Sequence, residues 1–178
     1  MAYSEMKNKH ITLMLLALLF LIPVLGAYQM ITHPEWIQGQ HSTNYGTLVE
    51  KPLVWKHDGD EKRPWQLVLW QNQACDKECL KQLDLLARIR LAMGRKVYLM
   101  NIWLFCSENV KLSTKDVQKL QQKDIHVTFA SSKEQALWNN VFVAQPIVLV
   151  TPEHKTLMMY ALNPEPKKMY HDFQLLIK

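Results

Sequence analysis

The sequence has few of the residues that mark several classes of small protein. Among its 178 residues there are five glycines and three cysteines, and 48% of the residues are hydrophobic. The low glycine count excludes collagen-like and glycine-rich low-complexity chains, and three cysteines are too few for a small scaffold held together by disulfides. A folded core must therefore come from ordinary hydrophobic burial, and one domain is the starting expectation.

Several functional motifs are also missing. The sequence has no P-loop, GxGxxG, GxSxG or HExxH pattern, and its histidines and cysteines do not have zinc-finger spacing. The formal net charge is +5, but the basic residues are interleaved with acidic ones and form no tract. Nucleotide binding, serine hydrolysis, zinc proteolysis and nucleic-acid binding therefore have no support from the sequence.

One long apolar run is present near the amino terminus. Residues 11–31 contain no Asp, Glu, Lys, Arg or His over 21 positions, which is long enough to cross a bilayer. A signal peptide is the alternative, but its apolar region typically covers only about 7 to 15 residues. Val24, Leu25 and Gly26 would also make a poor cleavage site. We therefore expect an uncleaved, single-pass transmembrane anchor at residues 11–31.

The basic residues near this run predict its orientation. Lys7 and Lys9 precede the run, whereas the first lysine or arginine after it is Lys51. The basic side of a membrane helix faces the cytoplasm. We therefore expect residues 1–10 in the cytoplasm and the rest of the chain outside it. In a Gram-negative bacterium this means an inner-membrane protein with a periplasmic domain.

The remainder of the sequence divides at residue 65. Residues 32–64 have no sustained periodicity and contain several Gly and Pro residues, so we expect a linker and lead-in loop. Within it, we expect the short hydrophobic segment 53–55 either to add an edge strand or to pack on the domain. Residues 65–178 alternate between strand and helix patterns. These patterns predict strands at 65–70, 96–105, 125–129, 147–150 and 157–162, and helices at 76–93, from Ser113 or Thr114 to 120, 133–140 and 165–177. The alternation and the final hairpin predict an α/β fold with a mixed central sheet and helices on both faces.

Two cysteines follow the first predicted strand of this domain. Cys75 and Cys79 have CxxxC spacing at the start of the predicted helix 76–93. Unpaired N–H groups at a helix start stabilise a thiolate, whereas the adjacent acids Asp76 and Glu78 oppose it. Residues four apart share one helical face, so the pair can act as a redox couple or hold a soft ion such as Cu(I). A plain structural disulfide or two inert thiols remain the alternative.

Other sulfur and imidazole groups are expected to be structural. Cys106 ends an apolar strand pattern, so we expect a buried or half-buried, small hydrophobic residue there. We expect His126, at a strand start, and His154, in a hairpin turn, to be solvated or structural residues and not metal ligands. The methionines expected in the core are Met93, Met100, Met158 and Met159.

The order of elements, the position of Cys75 and Cys79, and Pro146 just before the strand pattern 147–150 together resemble the thioredoxin-like fold. This resemblance implies that Pro146 is a cis-proline that faces the two cysteines. The three-residue gap and the membrane anchor are similar to the Sco/SenC group of copper-handling proteins that assist cytochrome c oxidase assembly. The lead-in STNYGTL at residues 42–48 also resembles the STNxGxL segment of small uncharacterised proteobacterial membrane proteins.

This resemblance implies particular ligands and partners. The Sco pattern has a histidine where this chain has Phe142, Val143 and Ala144, so copper held by Cys75 and Cys79 would need an unknown third ligand. The implied partners are the inner membrane and a cytochrome c oxidase subunit or another assembly factor, but no nucleic acid.

Three functional hypotheses follow. The first is a membrane-anchored assembly factor that delivers copper or keeps a partner's metal-site cysteines reduced. The second is a thiol-disulfide oxidoreductase in which Cys75 attacks a partner disulfide and Cys79 resolves the mixed disulfide. The third is a redox-silent interaction module.

Overall fold

The computed structural model describes residues 2–32, 43–57 and 65–177. The chain divides into two compact units, Met1–Ser42 and Thr43–Lys178. The first unit contains helix α1 (Ala2–Thr32), which carries the predicted apolar run. The window Leu13–Met30 of this helix has a mean hydropathy of 2.1, and none of the window is buried. By length and composition, α1 can therefore cross a membrane.

The second unit is built around a six-stranded sheet with the strand order β1-β6-β5-β2-β3-β4. Its strands are β1 (Thr47–Leu48), β2 (Trp65–Gln71), β3 (Met100–Ser107), β4 (Ile125–Ala130), β5 (Ile147–Val150) and β6 (Thr156–Tyr160). Its helices are α2 (Lys77–Ala92), a 3-10 helix (Gly94–Leu99), α3 (Thr114–Gln122), α4 (Ser132–Phe142) and α5 (Pro166–Leu176).

The sheet is mixed, as the sequence predicts. Strands β2, β3 and β4 run parallel, because helical crossovers connect them. Strand β5 runs antiparallel to both β2 and β6, and β1 runs antiparallel to β6. The tight turn between β5 and β6 therefore produces the antiparallel pair expected from its length.

The predicted strand at 96–105 is wrong in its first four residues. The 3-10 helix occupies Gly94–Leu99, and β3 begins only at Met100. Gly94 has a φ of 61°, a backbone conformation that suits glycine and ends α2. The N–H of Lys96 then donates to the carbonyl oxygen of Met93 at 3.3 Å, so the chain makes another turn before it enters the sheet.

Side chains alternate across the sheet and build a core on each face. Leu67 and Leu69 of β2 lie in the first core, with residues from α2 and α5, whereas Val68 and Trp70 lie in the second. The second core is dominated by aromatic rings: Trp55, Trp70, Trp103, Phe105, Trp138 and Phe142. Since Trp138 and Phe142 belong to α4, helices cover both faces of the sheet, as the sequence predicts.

Residues 43–57, which precede the predicted domain start at residue 65, also pack on the sheet. Thr47 and Leu48 pair with β6 as strand β1, and Val54 forms an isolated bridge with Lys155. Trp55 is 2% exposed and lies in the second core. Residues 53–55 therefore pack on the domain. The parts of the predicted linker at 33–42 and 58–64 lie outside the described residues.

A buried carboxylate fastens this lead-in segment to α5. Asp172 is fully buried, and its oxygens accept hydrogen bonds from the backbone N–H groups of Tyr45 at 3.0 Å and Gly46 at 2.8 Å. The hydroxyl group of Tyr160 donates to the same carboxylate at 3.0 Å. A Cβ atom at position 46 would lie 2.5 Å from the side chain of Met158, so only glycine fits there. Residues 45–48 of the STNYGTL segment therefore have a structural role as the docking point of the lead-in.

We expect Asp172→Ala to destabilise the domain strongly. The substitution removes the acceptor of two buried donors, at Gly46 and Tyr160, and of the part-buried N–H of Tyr45. We therefore expect the free energy of unfolding to fall by on the order of 3 kcal/mol. Urea unfolding of the full chain in detergent micelles, followed by tryptophan fluorescence, measures this loss.

Asp84→Ala is the matched control, because the Asp84 carboxylate forms a surface ion pair with Lys123. An exposed ion pair contributes less than about 1 kcal/mol. Equal losses in the two variants would contradict the fastening role of Asp172.

Candidate functional site

The two cysteines lie at the edge of the sheet where β2 ends. The N–H of Trp70, near the end of β2, donates to the carbonyl oxygen of Pro146 at 2.8 Å, so β5 begins at this edge. Ile147 at the start of β5 pairs with Tyr160 at the end of β6. The loops that follow β2, precede β5 and follow β6 therefore meet here. We call this edge the cysteine edge.

Cys75 and Cys79 form a disulfide, with their Cα atoms 5.2 Å apart. The Cys79 side chain is 5% exposed and packs in the first core, whereas Cys75 is half-buried. A thiolate that attacks a disulfide needs access to one of its sulfur atoms. Cys75 is therefore the more accessible of the two cysteines, and Cys79 is the shielded one.

Asp76, between the two cysteines, caps helix α2. One of its carboxylate oxygens accepts hydrogen bonds from the N–H groups of Glu78 and Cys79, both at 3.0 Å. Cys75 lies just before this cap, and so it is outside the helix. Part of the positive potential of the helix start is therefore directed at a carboxylate, which leaves less of it to stabilise a Cys75 thiolate.

A polar network joins the start of α2 to the loop that follows β6. The Gln82 side chain, 1% exposed, donates to the side-chain oxygen of Asn163 and accepts from the Asn163 N–H at 3.1 Å. The pKa of the exposed Glu78 carboxyl is lowered. The largest cause is a hydrogen bond from Gln82, followed by one from Asn163 and by the positive charge of Lys81. Glu78 therefore places a second negative charge close to the disulfide at neutral pH.

Sequence reasoning missed both Gln82 and Asn163. A glutamine on the apolar face of α2, next to Leu83, and the Asn-Pro turn at 163–164 are the signals that could have indicated them. Neither signal identifies the other residue as its partner, because 81 positions separate the two.

Pro146 lies at the cysteine edge and is buried, but the predicted cis bond is wrong. No cis peptide bond occurs in the described parts of the chain, which include the Gln145–Pro146 bond. The trans form is the lower-energy state of a bond before proline. In this form the Pro146 carbonyl group accepts the Trp70 hydrogen bond at the end of the sheet ladder.

Comparison with known proteins identifies the family of the domain. The transmembrane-like, thioredoxin-like, C-terminal domain family matches residues 65–178. The chain belongs to this family. Its second unit is therefore a thioredoxin-like domain with a disulfide at the cysteine edge. No curated protein matches the sequence.

Several solved structures are similar to this thioredoxin-like domain. The thioredoxin domain of a Bacteroides vulgatus thiol-disulfide oxidoreductase is 16% identical, with a TM-score of 0.45, and the match covers 75% of this chain and 97% of that one. Copper-bound ScoI from Bradyrhizobium japonicum is 15% identical, with a TM-score of 0.45 and coverages of 62% and 83%. A Corynebacterium diphtheriae DsbF homologue is 10% identical, with a TM-score of 0.44 and coverages of 65% and 74%.

The third cysteine of the thioredoxin-like domain is buried, as predicted. Cys106 lies on β3, is 0% exposed and belongs to the same core as Cys79. Burial raises the pKa of its thiol to about 12. Cys106 is therefore a protonated, shielded group at neutral pH, while the disulfide is the accessible sulfur centre.

The histidines and methionines considered as ligands lie in other parts of the domain. The ring of His126 stacks on Trp103 at 4.7 Å on the second face, and His154 lies in the turn at the far end of β5. Among the described residues, no group of three or more His, Cys, Asp or Glu side chains could hold a metal ion. The methionines Met93, Met100 and Met158 lie in the first core, and Met159 packs against the second, as predicted.

We expect Asp76→Asn to make the Cys75–Cys79 couple more oxidising. Asparagine keeps the helix cap but removes the negative charge, so the reduced form of the couple gains stability. A charge at a helix start contributes about 0.5 to 1 kcal/mol, which corresponds to a reduction potential roughly 10 to 20 mV more positive.

Equilibration with dithiothreitol redox buffers, followed by thiol alkylation and mass spectrometry, measures this potential. Asp116→Asn is the control, because Asp116 lies in the first turn of α3. An unchanged or more negative potential for Asp76→Asn would show that the carboxylate does not oppose the thiolate.

Proposed function

We propose that this protein is a membrane-anchored thiol-disulfide exchange protein. One observation carries the proposal: the Cys75–Cys79 disulfide joins a half-buried cysteine to a buried one at the cysteine edge. A structural bridge has no need for this asymmetry, whereas exchange requires one accessible sulfur and one that resolves. The buried Cys106 stays out of the reaction.

The exchange transfers two electrons. In the reduced protein, the Cys75 thiolate attacks a sulfur of a partner disulfide, which forms a mixed disulfide and releases a partner thiolate that takes up a proton. The Cys79 thiolate then attacks the Cys75 sulfur, which forms the intramolecular disulfide and releases the second partner thiolate. The two protons that the Cys75 and Cys79 thiols lose balance the two that the partner thiolates take up. The partner disulfide is thereby reduced to two thiols. A donor dithiol protein must return the Cys75–Cys79 pair to its reduced state.

The proposed location follows from α1 and the charges that precede its apolar run. The apolar window Leu13–Met30 acts as an uncleaved anchor, and Lys7 and Lys9 hold the amino terminus in the cytoplasm. The thioredoxin-like domain then lies in the periplasm of a Gram-negative cell, a compartment that permits disulfides.

We expect Cys79→Ser to trap mixed disulfides. Without the resolving sulfur, the Cys75 adduct with a partner persists, and higher-mass bands appear on non-reducing gels of cell membranes and disappear on reduction. Cys75→Ser is the control, because the thiol that it retains at Cys79 is buried in the intact protein. Equal adducts from the two variants, or none from either, would argue against exchange through Cys75.

Copper delivery for cytochrome c oxidase assembly is the second candidate function. The two cysteines are four residues apart, with Cα atoms separated by 5.2 Å, so after reduction two soft thiolates lie close enough to bind one Cu(I) ion. The ion would be cargo, passed to the oxidase subunit or to another assembly factor. If the protein is instead a redox-silent interaction module, replacing both cysteines would leave the oxidase activity of the membranes unchanged.

A Cu(I) titration of the fully reduced chain in detergent, against a competing chelator, tests the copper candidate. If copper is cargo, we expect binding of one ion per chain that is lost in the Cys75→Ser, Cys79→Ser double variant. Binding that survives in the double variant, or no binding to the reduced wild type, would leave thiol exchange as the proposed function.

A further inference from the structure

An exposed surface with both basic and apolar character lies where α2 ends and the 3-10 helix follows. It consists of Arg88, Leu91, Ala92, Arg95 and Tyr98, and we call it the basic-apolar face. Leu91 and Tyr98 are each 68% exposed, and no large apolar side chain described in the second unit is more exposed. Two large apolar groups therefore project into solvent beside two arginines.

Four of the five residues of the basic-apolar face line two neighbouring grooves. Arg88, Leu91 and Tyr98 line a groove of about 630 Å³ between α2, the 3-10 helix and the end of α3. Arg88 and Ala92 line a neighbouring groove of about 460 Å³ between α2 and α5. Residues three apart in a 3-10 helix lie on the same side, which places Arg95 beside Tyr98.

The charge of this face is positive. The acidic residues that line the larger groove are Asp84 and Asp124, and each forms an ion pair, Asp84 with Lys123 and Asp124 with Arg90. These four charges offset one another. The two arginines of the basic-apolar face therefore give it a net positive charge.

We propose that the basic-apolar face docks on the surface of an anionic lipid bilayer. Arginine binds lipid phosphates, tyrosine favours the membrane interface, and an exposed leucine gains by leaving water. The alternative is that this face binds a protein with an acidic surface. A lipid surface is favoured because this chain carries its own apolar helix long enough to cross a membrane. The proposal rests on the membrane anchoring proposed above.

The position of the face suits the proposed thiol exchange. Helix α2 begins beside the disulfide, has 16 residues and ends at the basic-apolar face. At 1.5 Å per residue, Arg88 lies about 17 Å along the helix axis from Lys77, and Ala92 lies farther still. Docking through this face would therefore leave the cysteine edge open to partner proteins.

Hydrogen–deuterium exchange on the full chain in nanodiscs tests the docking. One set of discs contains phosphatidylcholine only, and the other contains phosphatidylcholine with phosphatidylglycerol. We expect peptides from residues 88–99 to exchange more slowly in the anionic discs, and we expect the difference to disappear in high salt, because exposed charges are then screened. Equal exchange in the two kinds of disc would overturn the proposal.

The variant Arg88→Gln, Arg95→Gln should lose this protection. Each basic residue near an anionic surface strengthens binding about fivefold, so we expect docking to weaken roughly 25-fold. Lys115→Gln, Lys119→Gln is the matched control, because both lysines are exposed on α3 and the change in net charge is the same. Equal effects of the two variants would indicate general attraction to the bilayer and overturn docking through this face.

The remaining outcomes separate docking from anchoring and from self-association. If the chain does not insert into either kind of disc, the anchoring proposal fails. In that case, sedimentation with phosphatidylglycerol liposomes tests whether the chain binds the lipid surface. Binding by the wild type that is lost in the Arg88→Gln, Arg95→Gln variant would support docking, and equal binding by the two would overturn it. Protection that requires two copies of the chain per disc would assign the face to a second copy and overturn the lipid proposal.

Discussion

Strand β2 fixes the position of the disulfide. It pairs with β3 on one side and β5 on the other, and its residues 66–70 are buried. A strand held in this way cannot shift its register, because a shift by one residue would exchange the two cores. The cysteine loop that leaves β2 therefore starts from a fixed point. The start of β5 and the end of β6 lie at the same edge for the same reason.

The local chemistry of the disulfide then depends on its short loop and on α2. Asp76 caps the helix between the two cysteines, and Glu78 adds a further negative charge. Helix starts usually favour a thiolate, but here a carboxylate accepts part of that stabilisation. A couple with this environment holds its disulfide more firmly than one without the acidic residues. Such a couple suits a protein that, once reduced, passes electrons to partner disulfides.

The sequence predicted the parts of the fold whose signals are local. Strand β2 is a compact apolar run, α2 has leucines at helical spacing, and Cys75 and Cys79 are close in sequence and therefore close in space. The docking of residues 45–48 was not predicted, because its main contact joins Gly46 to Asp172 across 126 positions. The 3-10 helix was missed because its last three residues, Val97, Tyr98 and Leu99, are continuous in sequence with the apolar run of β3.

The central claim is that the Cys75–Cys79 pair exchanges within a stable fold. The most direct measurement is a redox titration of the wild-type chain in detergent, with alkylation of the thiols and near-UV circular dichroism at each step. We predict one reversible two-electron transition confined to Cys75 and Cys79, with an unchanged tertiary signal and an unmodified Cys106. Loss of the tertiary signal on reduction would contradict this claim and make the disulfide a structural bridge.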